Sequence, residues 1–177
     1  MPSVARLRRI HAHVPLALLA LLLARPAPIA NLAGGALVLA GLALRGWAAG
    51  YLAKGAALCT DGPYRYLRHP LYLGSLLAAL GFCIMANVLW AWLVVLPPFL
   101  ALYTWQTLAE ERTLRRLYPD AYPRYAAQVP MLLPRPTRRP PGPWRLSLAL
   151  ANREHYHAVV TLALAGLFHA KMLWGER

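Results

Sequence analysis

A dense run of aromatic and basic residues stands between two apolar parts of the chain. It reads GPYRYLRHPLYLG over residues 62–74. A turn at residues 62–63, followed by Pro70 near the first position of a helix, predicts that Arg68 and His69 lie at a helix N-terminus. Such a position favours an anionic ligand. Anchoring of tyrosine and arginine at a membrane boundary is the alternative interpretation, and the density of the run favours a ligand site.

Two adjacent carboxylates follow the next long apolar part of the chain. If the helix continues past them, Glu111 lies one turn before Arg115 and forms an i,i+4 ion pair on the helix surface. Glu110 has Leu114 at the same spacing. If the helix ends there instead, both carboxylates oppose its macrodipole. We therefore expect Glu111 to be mainly structural and Glu110 to remain available for a ligand cation.

These groups together suit a zwitterionic amino acid that carries a further positive charge. Its carboxylate would meet Arg68 or His69, and its ammonium would meet Glu110. A sulfonium would lie against tyrosine rings through cation–π attraction. Tyr122 and Tyr125 follow the carboxylates and either line this site or lie at the membrane interface.

The combined pattern resembles the isoprenylcysteine carboxyl methyltransferase family and its phospholipid methyltransferase relatives. The run at 62–74, the Glu110-Glu111 pair, Tyr122 and Tyr125 carry the resemblance, which extends over about residues 54–130. It implies an integral membrane enzyme that uses S-adenosylmethionine without a Rossmann fold, with the cofactor at the cytoplasmic end of a helical hairpin. The positions that it implies for cofactor binding are Leu58, Cys59, Tyr64, His69, Pro70, Leu71, Tyr72 and Glu110.

Two positions depart from the eukaryotic members of that family. Gln106 stands where they carry an arginine that holds the substrate carboxylate, and Ala56-Ala57 stand where they carry a histidine. A neutral amide lacks the charge that would pair with an acceptor carboxylate, so a phospholipid amine stays open as an alternative acceptor. We assign catalysis to Arg68, Glu110 and Glu111, and acceptor binding to Gln106, Arg112, Tyr122 and Tyr125.

The composition places this pattern in a membrane protein. The 177 residues are 59% hydrophobic and 14% charged, whereas soluble domains are about 45–50% apolar and about 25% charged. Basic residues outnumber acidic ones 19 to 6, but apolar runs separate them, which argues against nucleic-acid binding. Two cysteines, Cys59 and Cys83, cannot form a disulfide scaffold. We expect an all-α integral membrane protein and assign no metal site, taking the EHYH run at 154–157 as structural.

Five apolar stretches predict about five transmembrane helices. They are residues 10–28, 29–51, 71–86, 88–109 and 156–174. Asn87 alone separates the third from the fourth, which predicts a tight helical hairpin. The N-terminal region also resembles a signal peptide, whose three parts would be Arg6, Arg8 and Arg9, the apolar core at 14–24, and Pro28-Ile29-Ala30.

The distribution of basic residues predicts that the N-terminus is cytoplasmic and the C-terminus is on the other side. With five crossings, 16 of the 19 basic residues fall on the cytoplasmic side, and Arg25, Lys171 and Arg177 fall on the other. The single domain, 1–177, then comprises a cofactor motif region at 52–130, a Pro- and Arg-rich connector at 131–143, and an interfacial segment with the last span at 144–177.

These features predict a multi-pass membrane methyltransferase that uses S-adenosylmethionine. Its active site faces the cytoplasm, and its acceptor is lipophilic and embedded among the membrane lipids. Methylation of a phospholipid amine is one alternative. A basic membrane scaffold that binds anionic lipid without catalysis is the other.

Overall fold

The computed structural model describes residues 13–53, 57–137, 140 and 142–175. Over these residues the fold is all-helical and has no strand, which confirms the predicted class. The helices are α1 (His13–Leu23), α2 (Pro28–Ala49), α3 (Pro70–Ala86), α4 (Leu89–Leu117), α5 (Ala121–Gln128), α6 (Leu146–Ala151) and α7 (Glu154–Gly175), with a short 3-10 helix at Gly62–Arg65.

Three of the described helices, α2, α4 and α7, are long and apolar enough to cross a membrane. The apolar α3 has 17 residues and rises about 26 Å, slightly less than the roughly 30 Å of a hydrocarbon core. Five spans and the N-in, C-out orientation therefore stay predictions.

The first predicted span, residues 10–28, is not one continuous helix in the structure, because α1 ends at Leu23 and α2 begins at Pro28. Its described helical part, α1, has 11 residues, and Pro28 begins α2 instead of ending the first span. Proline suits the first helical turn because its missing N–H would have no helical partner there. The basic residues Arg6, Arg8 and Arg9 lie outside the described residues.

The tight hairpin predicted at Asn87 is confirmed. Asn87 ends α3 in the left-handed conformation, with φ 52° and ψ 35°, which asparagine tolerates better than most residues. Its side-chain amide donates to the carbonyl of Arg25 at 3.2 Å. After the turn, α4 continues to Leu117 and carries both Glu110 and Glu111 within one helix.

Glycines bring the backbones of α2 and α3 into direct contact. A Cβ on Gly41 would lie 2.4 Å from the carbonyl oxygen of Gly74, and one on Gly34 would lie 2.4 Å from that of Gly81. Small residues allow this close approach between apolar helices, where lipid gives no hydrophobic driving force for association. The start of α3 is thus held against the end of α2.

The bundle has two chemically different ends. At one end, the Arg25 N–H donates to the carbonyl of Ala86, the last residue of α3, and the Lys171 ammonium donates to the carbonyl of Leu21 at 2.7 Å. At the other end lies the start of α3, which Arg68 precedes in the chain. The candidate site is at this second end.

Candidate functional site

The loop before α3 depends on a glycine with a left-handed backbone. Gly62 has φ 58°, and a Cβ there would lie 2.3 Å from the ring of Tyr51. Only glycine adopts this conformation without steric cost in so little space. The 3-10 helix then leads to His69, and Pro70 begins α3.

Three hydrogen bonds join the segment that follows α4 to the backbone of this loop. The Tyr125 hydroxyl donates to the carbonyl of Tyr64 at 2.6 Å. The Arg68 N–H donates to the carbonyl of Pro130 at 2.9 Å, and the Arg135 N–H donates to that of Tyr66 at 2.9 Å. Residues 125–135 thereby fix the conformation in which the loop enters α3.

Glu111 lies at the centre of a buried charged group. Its Oε1 is 2.7 Å from Nη1 of Arg68 and 3.2 Å from Nε2 of His69, and the residue is only 7% exposed. Our expectation that Glu111 forms a surface pair with Arg115 is therefore wrong. The i,i+4 spacing relates residues of one helix only, whereas the folded loop brings Arg68 to the buried face of α4.

His69 contributes to this group as a neutral imidazole. Burial lowers its pKa, and the carboxylates of Glu110 and Glu111 oppose that shift only in part. Since a carboxylate can only accept, the ring donates Nε2–H to Glu111. In that tautomer Nδ1 carries the lone pair.

The two tyrosines of α5, Tyr122 and Tyr125, pack against the loop before α3. Tyr122 is fully buried, and its hydroxyl oxygen is 3.5 Å from Nη1 of Arg68. Burial, reinforced by the Glu111 carboxylate, raises the pKa of Tyr122 to about 12. Burial also raises the pKa of Tyr125. Both phenols thus stay protonated at neutral pH, and in this conformation they pack against the loop.

Two charged groups beside His69 retain capacity for a ligand. Nε of Arg68 is buried and has no hydrogen-bond partner in the part of the chain that the structure describes. Glu110 is half-buried, and no basic side chain among the described residues forms an ion pair with it. The ring of Tyr72 packs 5.6 Å from that of His69. A cationic N–H, a carboxylate and an aromatic face thus lie around the start of α3.

The remaining predicted site residues differ in their exposure and in their contacts. Leu58 is half-buried, Arg112 is exposed on α4, and Gln106 is 4% exposed one turn before Glu110. The Cys59 thiol donates to the carbonyl of Tyr51 at 3.3 Å, and burial raises its pKa to about 11. Of the departure at Ala56-Ala57, the first residue lies outside the described residues.

A second buried ion pair, which was not predicted from the sequence, joins Arg45 of α2 to Glu154 of α7. Nη2 of Arg45 lies 2.8 Å from Oε2 of Glu154, and both side chains are less than a tenth exposed. An arginine within a long apolar helix requires a partner, and that requirement was the available signal.

A cavity of about 200 Å³ lies beside this ion pair, between α2, α6 and α7. Arg45 and Glu154 are part of its wall. Its apolar lining includes Leu42, Trp144, Leu146, Ala149, Leu150 and Ala158. Among the described residues, no three His, Cys, Asp or Glu side chains are placed to hold a metal ion.

The comparisons with known proteins each cover about half of the chain. A family model for phospholipid methyltransferases matches residues 31–121, which are 91 of the 177 residues. The chain is 35% identical over 91 residues to the cobalt-zinc-cadmium resistance protein CzcN of Cupriavidus metallidurans. That match covers 50% of this chain and 42% of CzcN, so the chain corresponds to less than half of that relative. No solved structure matches significantly.

Proposed function

Because the chain belongs to the phospholipid methyltransferase family, we propose that it transfers a methyl group from S-adenosylmethionine to a lipophilic acceptor at the cytoplasmic face of a membrane. The observation that carries this proposal is the incomplete pairing around the start of α3. Arg68 keeps a buried Nε–H without a partner, and Glu110 keeps a carboxylate that no described basic side chain neutralises. These groups complement the carboxylate and the ammonium of an amino acid.

The residues present fit the amino-acid part of this cofactor. Arg68 would bind its carboxylate through Nε–H, while Nη1 stays on Glu111. Glu110 would accept from its ammonium, and Tyr72 would face its sulfonium. When bound, S-adenosylmethionine supplies an electrophilic methyl group. The N-terminal turn of α3, with Tyr64, Pro70 and Leu71 around it, would hold the reacting groups together and away from water.

The protein's proton chemistry depends on the acceptor. A carboxylate acceptor has no proton to lose, so positioning and desolvation suffice. An amine acceptor must lose a proton, and Nδ1 of His69 suits that role because the ring is neutral and already donates Nε2–H to Glu111. Tyr122 is a poor base, because its raised pKa keeps the phenol protonated.

The apolar cavity supports a lipophilic acceptor. Arg45 lines this cavity and also donates to the carbonyl of Leu71 at 3.1 Å. The Arg45 side chain thus contacts both the cavity and the first turn of α3. We propose that an apolar chain of the acceptor enters from the bilayer and lies there.

Methylation of a phospholipid amine is a second candidate for the same site. The buried amide of Gln106 favours it, because a neutral side chain gives an acceptor carboxylate no counter-ion. The acceptor class thus depends on which charged groups meet the substrate beside Gln106.

Cofactor binding tests the methyltransferase proposal before any acceptor is known. S-adenosylhomocysteine should raise the thermal unfolding midpoint of the purified protein in detergent, since a ligand that binds only the folded state stabilises it. Glu110→Gln should remove the shift, and the exposed Arg116→Gln should retain it. An unmoved midpoint in the wild type would contradict the enzyme and favour the basic scaffold.

The acceptor is tested by transfer of a labelled methyl group in lipid nanodiscs. One arm offers a prenylcysteine analogue and the other offers phosphatidylethanolamine. Label in the first product as an ester identifies a carboxylate acceptor, and label in the second identifies an amine. Cofactor binding without label in either arm would refute both acceptor classes.

A further inference from the structure

We propose that Arg45 and Glu154 are positioning residues that hold the first turn of α3, and with it the proposed cofactor site, in its binding geometry. This inference rests on the proposed function. It makes α6 and α7, which lie beyond the family match at 31–121, part of the functional unit.

Arg45 makes five hydrogen bonds to three residues. Nε and Nη2 donate to the two carboxylate oxygens of Glu154 at 2.8–3.0 Å. Nη1 donates to the carbonyl of Leu71 at 3.1 Å and to the hydroxyl of Ser75 at 2.6 Å. Each of the three guanidinium nitrogens therefore has a partner within the protein. Arg45 is therefore bound to α3 and α7 through its whole guanidinium group, which gives it a structural role at α3.

The bonded atoms belong to the first turn of α3. Leu71 follows His69 and Pro70 and precedes Tyr72, and its carbonyl also accepts from the Ser75 hydroxyl at 3.1 Å. Arg45 thus fixes the backbone that carries the proposed cofactor contacts. The side chain reaches this point because position 74 is glycine, where a Cβ would lie 2.6 Å from Cγ of Arg45.

A separate set of hydrogen bonds places Glu154. The Asn152 amide donates to the carbonyls of Ala49 and Leu52 at 3.0 and 2.8 Å, and the Arg145 N–H donates to that of Gly50 at 3.0 Å. The segment before α7 therefore docks on the end of α2. This docking brings Glu154 to Arg45 across 109 positions of sequence.

A pair with only a global structural role would affect the stability of the whole protein, whereas a positioning pair affects α3 locally. Replacing a buried ion pair by apolar residues of similar volume is often neutral or stabilising overall. The double variant Arg45→Met/Glu154→Leu separates the two roles for this reason. Arg45→Lys is the second variant, because it keeps a charge near Glu154 but cannot reproduce the fork to Leu71 and Ser75. Arg116→Lys, an exposed change of the same kind, is the matched control.

The experiment measures hydrogen exchange of the amides of residues 71–75 in the unliganded protein, the unfolding midpoint, and the Kd for S-adenosylhomocysteine. We expect the double variant to keep a midpoint near that of the wild type while these amides exchange about tenfold faster or more. Its Kd should rise roughly tenfold or more, with a smaller rise for Arg45→Lys and none for Arg116→Lys.

Exchange and Kd equal to the wild-type values in either folded variant would overturn the positioning role. Should the double variant fail to fold, Arg45→Lys alone decides the question by the same comparison. A wild type that does not bind S-adenosylhomocysteine would refute the proposed function instead, while the exchange measurement would still report on α3.

Discussion

Replacing Glu111 with glutamine removes the carboxylate that neutralises Arg68 and accepts from His69. Breaking a buried ion pair from one side costs about 3–5 kcal/mol because the other charge stays buried. The Arg68 side chain is 12% exposed, and glutamine keeps one acceptor oxygen. We therefore expect a loss of about 3 kcal/mol in the free energy of unfolding, at the low end of that range. For a chain of this size the unfolding midpoint should fall by roughly 6–12 °C.

Glu110→Gln is the matched control, since it is the same substitution one residue away. Glu110 is half-buried and forms no ion pair with a described residue, so its replacement should change stability by about 0.5 kcal/mol or less. Its effect should appear in the Kd for S-adenosylhomocysteine, because a lost charged hydrogen bond of about 1.5–3 kcal/mol raises Kd by roughly 10- to 150-fold.

Thermal unfolding and calorimetric titration of both variants in the same detergent give the comparison. The expected pattern is a large midpoint shift for Glu111→Gln and a large Kd change for Glu110→Gln. Equal midpoint shifts in the two variants would refute the assignment of the buried pair to Glu111. An unchanged Kd in Glu110→Gln would refute its role toward the ligand ammonium.

Three further predictions concern packing, pH and the acceptor. Gly41→Ala should destabilise the protein by about 1–3 kcal/mol, because its Cβ would lie 2.4 Å from a backbone carbonyl. Gly35→Ala, which meets no atom within 4 Å, should be neutral or stabilising in the same unfolding assay, and equal losses would contradict direct backbone contact. Folding lowers the pKa of His69 from 6.5, so the unfolded chain binds a proton at this residue before the folded protein does as pH falls. The thermal unfolding midpoint should therefore decrease as the pH is lowered below about 6.5. His69→Gln should flatten that slope, and an unaltered slope would exclude His69 as its cause. Gln106→Arg should increase methylation of a prenylcysteine carboxylate and decrease that of an amine lipid; unchanged product ratios would place residue 106 away from the acceptor.

The features that were predictable from sequence are local ones. The hairpin at Asn87 followed from two apolar runs with a single polar residue between them, and a left-handed asparagine makes that turn. The start of α3 followed from Pro70, whose chemistry suits a first helical turn. In both cases the residues that decide the structure are neighbours in the chain.

The side-chain contacts that define the site were not predictable from such spacing. Glu111 was assigned to Arg115 because the i,i+4 rule compares residues on one helix, whereas its partner Arg68 comes from a loop 43 positions earlier. The glycines at 34, 41, 74 and 81 did carry a signal. Two apolar stretches with glycine at the same seven-residue interval can pack backbone against backbone, and pairing them would have oriented α2 against α3.

Donor counts distinguish the two buried arginines near the start of α3. Arg45 uses five hydrogen bonds within the protein, two of them to Leu71 and Ser75. Arg68 binds Glu111 through Nη1 and leaves a buried Nε–H without a described partner. A buried donor without a partner carries a free-energy cost that a bound acceptor would relieve. The arginine that keeps a buried nitrogen without a described partner is thus the one suited to a ligand. The arginine whose three nitrogens all donate within the protein is suited to holding the helix that the ligand would contact.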